Sequence, residues 1–269
     1  TVTNSTFNNN TADENGGAIY SYGGSVTVTN STFTNNTVHG DENGYGGAIY
    51  NEFGGVTVTT STFNNNIADE NGGAISSYRG SVTVTNSTFN NNIANENGGA
   101  IYNNNSDVTV INSNFNNNTV TSNGTAFGGA IYNSGGSVTV NNSTFNNNTA
   151  NGNHVYGGAI YGGNVTVNNS IFNNNTATGG YSEGGAIYGG SVTVTNSTFT
   201  NNTADENGGA ISSYDGSVTV TNSTFNNNTA DENGGAIYTY AGDVTVINST
   251  FNNNTVNGNH VYGGAIYSG

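Results

Sequence analysis

The chain has 269 residues, of which 41 are Gly and 32% are hydrophobic, with no Pro, Cys, Met or Trp. One basic residue, Arg79, stands against sixteen acidic ones for a net charge of −15, so nothing is available to neutralise nucleic-acid phosphates or an anionic membrane surface. No apolar span is long enough to cross a bilayer as a helix, so direct membrane insertion is not expected, and without Cys no disulfide staples the fold.

The chain opens inside a repeating unit, at Thr1-Val2-Thr3-Asn4-Ser5-Thr6-Phe7, so Thr1 reads as a processed or excised start. The unit closes on the tetrapeptide Gly-Gly-Ala-Ile. Ten copies of it begin at Gly16, Gly46, Gly72, Gly98, Gly128, Gly157, Gly184, Gly208, Gly234 and Gly263. A near-fixed spacing of 24 to 30 residues is the mark of a solenoid, in which each unit touches only its neighbours. One repeat domain over 1–269 accounts for the whole chain.

Within a unit, a Val-Thr-Val run comes first, as in Val26-Thr27-Val28, where alternation puts the Val pair on one face of a half-buried strand. Five residues separate the last Val from the next Phe in every unit, as from Val28 to Phe33. From Phe to the Ile of Gly-Gly-Ala-Ile the interval is 12, 15 or 16 residues, which puts the large length variation in one surface turn. No segment shows helical periodicity, and Asn, Gly, Thr and Val are poor helix formers. The pattern predicts an all-β chain: a three-sided parallel β-helix of ten coils, with strands at the Val run, at Phe and at Ala-Ile. Stacking at the ordinary interstrand spacing gives a rod about 48 Å long, cored by ladders of Val, Phe and Ile. The Asn closing each Phe-Asn-Asn-Asn run (Asn10, Asn36, Asn66, Asn92 and onward) is the expected internal ladder of amides.

Gly-Gly-Ala-Ile paired with Phe-x-x-Asn, as at Phe7 to Asn10 and Phe199 to Asn202, resembles the repeat of the chlamydial polymorphic outer-membrane proteins. The longer string Asn-Ser-Thr-Phe-Thr-Asn-Asn-Thr-Ala at 196–204 is also similar to adhesin-like surface proteins of methanogenic archaea. Both resemblances cover the whole chain. They imply a right-handed β-helix displayed outside the cell, at the cell surface, and engaged in adhesion or surface structure.

Polysaccharide lyases and hydrolases share this architecture, but their chemistry needs clustered carboxylates or a basic residue that abstracts a proton. Arg79 is alone and no unit breaks the repeat, so no enzyme and no catalytic residue is expected. The acidic pairs Asp13-Glu14, Asp41-Glu42, Asp69-Glu70, Asp205-Glu206 and Asp231-Glu232 all fall in the variable turn. Stacked carboxylates repel unless a cation sits between them, and Ca²⁺ is the fitting one; a solvated acidic edge that keeps rods apart is the plainer alternative. His39, His154 and His260 read as loop filler. Tyr20, Tyr50, Tyr102, Tyr132, Tyr161, Tyr188, Tyr238 and Tyr267 follow Gly-Gly-Ala-Ile and predict an exposed aromatic ladder. Such a ladder binds sugar rings or a neighbouring rod, or only stabilises the sheet. Sequons at Asn4, Asn30, Asn86, Asn196 and Asn222 are candidate glycan acceptors.

The expected function is an extracellular adhesin stalk or filament subunit, with itself and possibly glycans or a neighbouring cell surface as partners. The alternative is a module for an ordered surface: sugars through the Tyr ladder, or ice through the outward Thr pairs Thr27/Thr29, Thr57/Thr59, Thr83/Thr85, Thr193/Thr195 and Thr219/Thr221. Ile111, Asn141, Asn168 and Ile247 interrupt the second Thr column. Neither end carries a cap, which predicts head-to-tail stacking by strand addition, with excision from a longer chain as the rival explanation.

Overall fold

The structure is a computed structural model that describes residues 1–40, 44–259 and 261–269. Among them every regular element is a β-strand, the longest being nine residues, Ile160–Asn168 and Ile187–Thr195. All paired strands are parallel and match equivalent residues one unit apart: Val82 with Val56 and Val108, Phe89 with Phe63 and Phe115, Ile101 with Ile75 and Ile131. Each repeat is thus one coil, and the coils stack in three sheets.

The division of a coil among those sheets differs from the expectation in one respect. The Ala-Ile strand and the Val strand belong to the same sheet; the third side is built by the Thr-Ala pair after Phe-Asn-Asn-Asn, as at Thr229–Ala230. Two residues are too few to display a period, so this side carries no readable alternation. It still points one side chain inward: Ala94, Val120, Ala150, Ala177 and Ala204 line a second apolar strip at zero exposure. The variable turn also does more than connect. Thr125–Phe127, Thr149–Tyr156 and Thr176–Glu183 pair with one another, because three consecutive coils carry a long turn.

Inside, the Phe rings stack 4.7–4.8 Å apart and nearly parallel, from Phe7 to Phe251. Beside them runs the expected amide ladder. Asn66 Nδ2 donates to Asn92 Oδ1 (2.9 Å) and to the Phe33 carbonyl (3.1 Å), and Asn66 N donates to the same Oδ1 (3.1 Å). The same three contacts recur at Asn118 and Asn148, so these fully buried amides have both side-chain donors and the acceptor in use. A second polar ladder stands at the preceding corner. Ser87 N donates to Ser113 Oγ (3.1 Å), while Ser87 Oγ donates to the Thr85 carbonyl (2.8 Å).

The corners explain the remaining composition. Asn86 and Asn91 have φ near +50°, as do their counterparts in other coils, and Asn is the side-chain-bearing residue that tolerates this region best. The paired glycines have separate reasons. The first sits at positive φ, as Gly72 does at +70°. The second lies against the next coil, where a Cβ on Gly73 would meet the Gly99 carbonyl oxygen at 2.1 Å.

Candidate functional site

The Ala-Ile strand carries the aromatic face. Ile points into the core, Tyr points out, and the residue after Tyr points in again to hold the turn to the Val run. Ser77 Oγ there donates to the Gly80 carbonyl (2.9 Å), Asn103 Nδ2 to the Ser106 carbonyl (2.7 Å) and Thr239 Oγ1 to the Gly242 carbonyl (2.8 Å). The tyrosines stack along the rod in three runs: Tyr20–Tyr50 (5.6 Å), Tyr102–Tyr132–Tyr161–Tyr188 (5.1, 5.1 and 5.5 Å) and Tyr238–Tyr267 (5.4 Å). The ladder exists, but it is not the exposed one expected. Tyr20, at 53%, is exposed; Tyr50 and Tyr238 are buried at 8%, and Tyr102, Tyr132, Tyr161, Tyr188 and Tyr267 are half-buried.

In the coils with a long turn, an aromatic residue just before Gly-Gly-Ala-Ile adds cover. Tyr45 lies 5.9 Å from Tyr50, Phe127 lies 4.8 Å from Tyr161, and Tyr156 lies 4.9 Å from Tyr188. Desolvation, with Glu52 second, pushes the Tyr50 phenol up to about 12. Desolvation, with Glu183 second, does the same for Tyr238. These hydroxyls are therefore neutral donors across the physiological range.

Two coils replace the ladder tyrosine by serine, at Ser76 and Ser212. The two gaps are handled differently. At Ser212 the Glu183 carboxylate, 1% exposed, fills the space: it accepts from Ser212 Oγ (2.7 Å) and from the Tyr181 hydroxyl (2.5 Å). Beside Ser76, itself 1% exposed, a partly open cavity of about 280 Å³ is lined by Tyr45, Tyr50, Glu52, Ser76, Tyr78 and Tyr102. The Ser76 hydroxyl is buried and has no hydrogen-bond partner among the described residues. Arg79, the single basic side chain, packs beside this region with its guanidinium 5.0 Å from the Tyr78 ring and 5.4 Å from that of Phe53.

Asp13, Glu14, Asp231 and Glu232 are exposed, whereas Asp69, Glu70, Asp205 and Glu206 are half-buried. Asp41, Glu42 and His260 lie outside the described residues. Asp69 Oδ2 accepts from Gly40 N (3.3 Å) and faces His39 Nδ1 at 3.4 Å; Glu70 is bonded by the Tyr45 hydroxyl. His154 is exposed beside Tyr181. Among the described residues no three carboxylates or imidazoles converge as a cation cage.

Crowding of the carboxylates has a measurable consequence. Burial first, then the charges of Glu232, Glu183 and Asp205, raise the Glu206 carboxyl from 4.5 to about 7. Burial also raises Asp205, against the bond it accepts from Gly179 N. A folded-state pKa above the unfolded one favours folding while the group is protonated. That contribution is full below the ordinary carboxylate range and is lost as pH rises through about 7. Thermal melts followed by circular dichroism are expected to give a higher Tm at mildly acidic than at mildly alkaline pH. Glu206→Gln should flatten that slope, and an unchanged slope would rule the coupling out.

Asn4, Asn30, Asn86, Asn196 and Asn222 are all exposed at their corner, with φ of +48° to +51°. In the outer face of the Val strand one Thr column is unbroken from Thr27 to Thr245 through Thr57, Thr83, Thr109, Thr139, Thr166, Thr193 and Thr219. Its neighbour column is interrupted in register at Ile111, Asn141, Asn168 and Ile247. Among the described residues no helix is long and apolar enough to cross a membrane.

Comparison with known proteins agrees with this geometry. The family model for the right-handed β-helix region matches residues 42–225 and 112–269, and that for the Chlamydia polymorphic membrane protein repeat matches residues 4–22 and 30–52. No curated protein and no solved structure matches the chain. The second family points to a surface-exposed protein, and both repeat families point to a non-catalytic role. The chain belongs to the right-handed β-helix family, and its opening coils carry the Chlamydia polymorphic membrane protein repeat.

Proposed function

We propose that this chain is an extracellular structural rod, the stalk of a surface adhesin or of a surface fibre, which continues its own sheets by stacking coil on coil. The observation that carries this reading is the unbroken amide ladder from Asn10 to Asn254, in which every rung bonds the next. The charge suits exposure to the medium: one Lys or Arg in 269 residues leaves trypsin-like proteases almost nothing to cut, and the acidic surface keeps rods from pairing side by side.

Stacking has its own support. Val2, Phe7 and Ile19 at one end, and Val244, Phe251 and Ile266 at the other, are only partly buried, while their counterparts between are fully covered. A further coil in register, from the same chain or from a second copy, covers both faces and pairs their free strand edges.

Sedimentation of the purified chain across a concentration series tests the stacking, and electron microscopy shows its product. Mass rising with concentration and rods lengthening at constant width are expected. A strictly monomeric species at high concentration would overturn self-stacking. Turnover of a polysaccharide, lost with one acidic substitution, would overturn the structural role itself.

A further inference from the structure

Asn is followed by Gly at nine places, and such a pair carries chemistry of its own. With no side chain to shield it, the glycine nitrogen can attack the amide carbon of the asparagine side chain. In the ordinary coils, where the pair opens Asn-Gly-Gly-Ala-Ile, the stack opposes that approach. Gly72 N donates to the Asn97 carbonyl (3.0 Å), while the Asn71 carbonyl accepts from Gly46 N (2.9 Å). Gly208 N donates to the Asn233 carbonyl (2.9 Å), and the Asn207 carbonyl accepts from Gly184 N (2.9 Å). The amides are fixed as well: Asn97 Nδ2 donates to Asn71 Oδ1 (2.7 Å) and Asn233 Nδ2 to Asn207 Oδ1 (2.9 Å). Asn151-Gly152 is held differently, inside a strand paired through Thr121↔Asn151, Asn151↔Thr178 and Gly152↔Gly179.

Asn123-Gly124 stands apart. It lies between the strands Thr119–Thr121 and Thr125–Phe127, and both of its residues are exposed. Gly124 N bonds within its own turn, to Ser122 Oγ (3.1 Å), a hydroxyl that can rotate to water. The next coil grips this turn only by its carbonyls: Asn153 Nδ2 donates to the Asn123 carbonyl (2.7 Å) and Asn153 N to that of Gly124 (2.7 Å). The atoms that must react are therefore not the ones that are held. Ser122, Asn123 and Gly124 also line an open depression of about 500 Å³, so water reaches them.

We infer that Asn123-Gly124 is a self-modification site, at which the chain converts asparagine to aspartate and isoaspartate without an enzyme. The Gly124 N–H proton passes to solvent base, the nitrogen bonds to Asn123 Cγ, and the Cγ–Nδ2 bond breaks to release ammonia. Water then opens the resulting succinimide at either carbonyl, leaving aspartate or, with the backbone routed through Cγ, isoaspartate. Either product adds a negative charge to a depression that already holds Asp69 and Glu96. Isoaspartate also lengthens the backbone and displaces the carbonyls that Asn153 grips. The inference does not depend on the rod's role or on stacking.

Peptide mapping of the intact chain tests it, after ageing in mildly alkaline buffer, then unfolding and pepsin digestion in acid, where the reaction stops. Electron-transfer fragmentation separates aspartate from isoaspartate. Asn123 is expected to convert at least about tenfold faster than Asn71, Asn97, Asn207 or Asn233. That factor is a barrier difference of about 1.4 kcal/mol, close to the worth of one backbone hydrogen bond. In denaturant the same five sites should convert at similar rates. Gly124→Ala shields the nitrogen with a methyl group that meets nothing nearer than Ser122 Oγ at 3.9 Å, so conversion should fall while Tm stays that of the parent. Equal rates at the five sites in the folded chain, or a folded ranking that persists unchanged in denaturant, would overturn the inference.

Discussion

Asn118→Leu is expected to destabilise the rod by about 4 kcal/mol, a large share of what holds a domain folded. The side chain is fully buried and serves three neighbours at once. Its Oδ1 accepts from Asn92 N (3.1 Å) and Asn92 Nδ2 (2.9 Å), and its Nδ2 donates to the Phe89 carbonyl (3.0 Å) and to Asn148 Oδ1 (3.0 Å). Leu fills similar space and supplies none of these. Two N–H groups of Asn92 are left without an acceptor where no water reaches, at about 1–3 kcal/mol each. The loss should be local, because coils touch only their neighbours. Denaturant unfolding reads its size, and amide exchange should show faster opening around Asn92 and Asn148 than near either end. A change below about 1 kcal/mol would mean that the ladder is decoration rather than framework.

Gly73→Ala should cost more than about 3 kcal/mol, although it adds a single methyl group. The new Cβ would lie 2.1 Å from the Gly99 carbonyl oxygen and 2.5 Å from that of Ile93, both backbone atoms of the next coil. Neither atom belongs to a side chain that can turn away, so the strands themselves must separate. Gly24→Ala is the matched control: its Cβ would have nothing nearer than Ser21 Oγ at 3.7 Å, and its Tm should stay close to the parent's. Equal Tm changes for the two variants would contradict the steric cause, because the unfolded-chain entropy removed by Gly→Ala is the same at both sites and acts to raise Tm.

The sequence made the repeat legible because the apolar residues recur at fixed intervals around invariant glycines. Val82, Phe89 and Ile101 all lie in the core, as their spacing requires. The Asn ladder is legible for a related reason: the Asn three residues after Phe recurs at the corner in every coil, where an amide can bond its own copy one coil away. The Ser87 ladder was not seen, since Asn-Ser-Thr is also a sequon and its serine gave no sign of which way it faced. The Thr-Ala side was too short to show alternation.

The aromatic face is half legible in the sequence. Alternation with Ile put the tyrosines on the outside of the sheet, and that is where they stand. The burial of Tyr50, Tyr132, Tyr161 and Tyr188 draws on Tyr45, Phe127 and Tyr156, which lie in the long turns. The aromatic immediately before Gly-Gly-Ala-Ile was the available signal. The plug at Ser212 was beyond sequence reading, because Glu183 sits one coil away and only register brings the two together.

The central claim is that each repeat makes one coil and that all coils stack in register. The chain has no Cys, so paired substitutions can be spin-labelled without background. Thr57→Cys with Thr219→Cys spans six coil steps along the unbroken Thr column, and electron–electron dipolar spectroscopy should place the labels about 29 Å apart. Thr57→Cys with Thr139→Cys, three steps apart, should give about half that separation, near 14 Å. Distances proportional to the number of repeats are the predicted result; a separation that does not grow with repeat number would contradict the stacked rod.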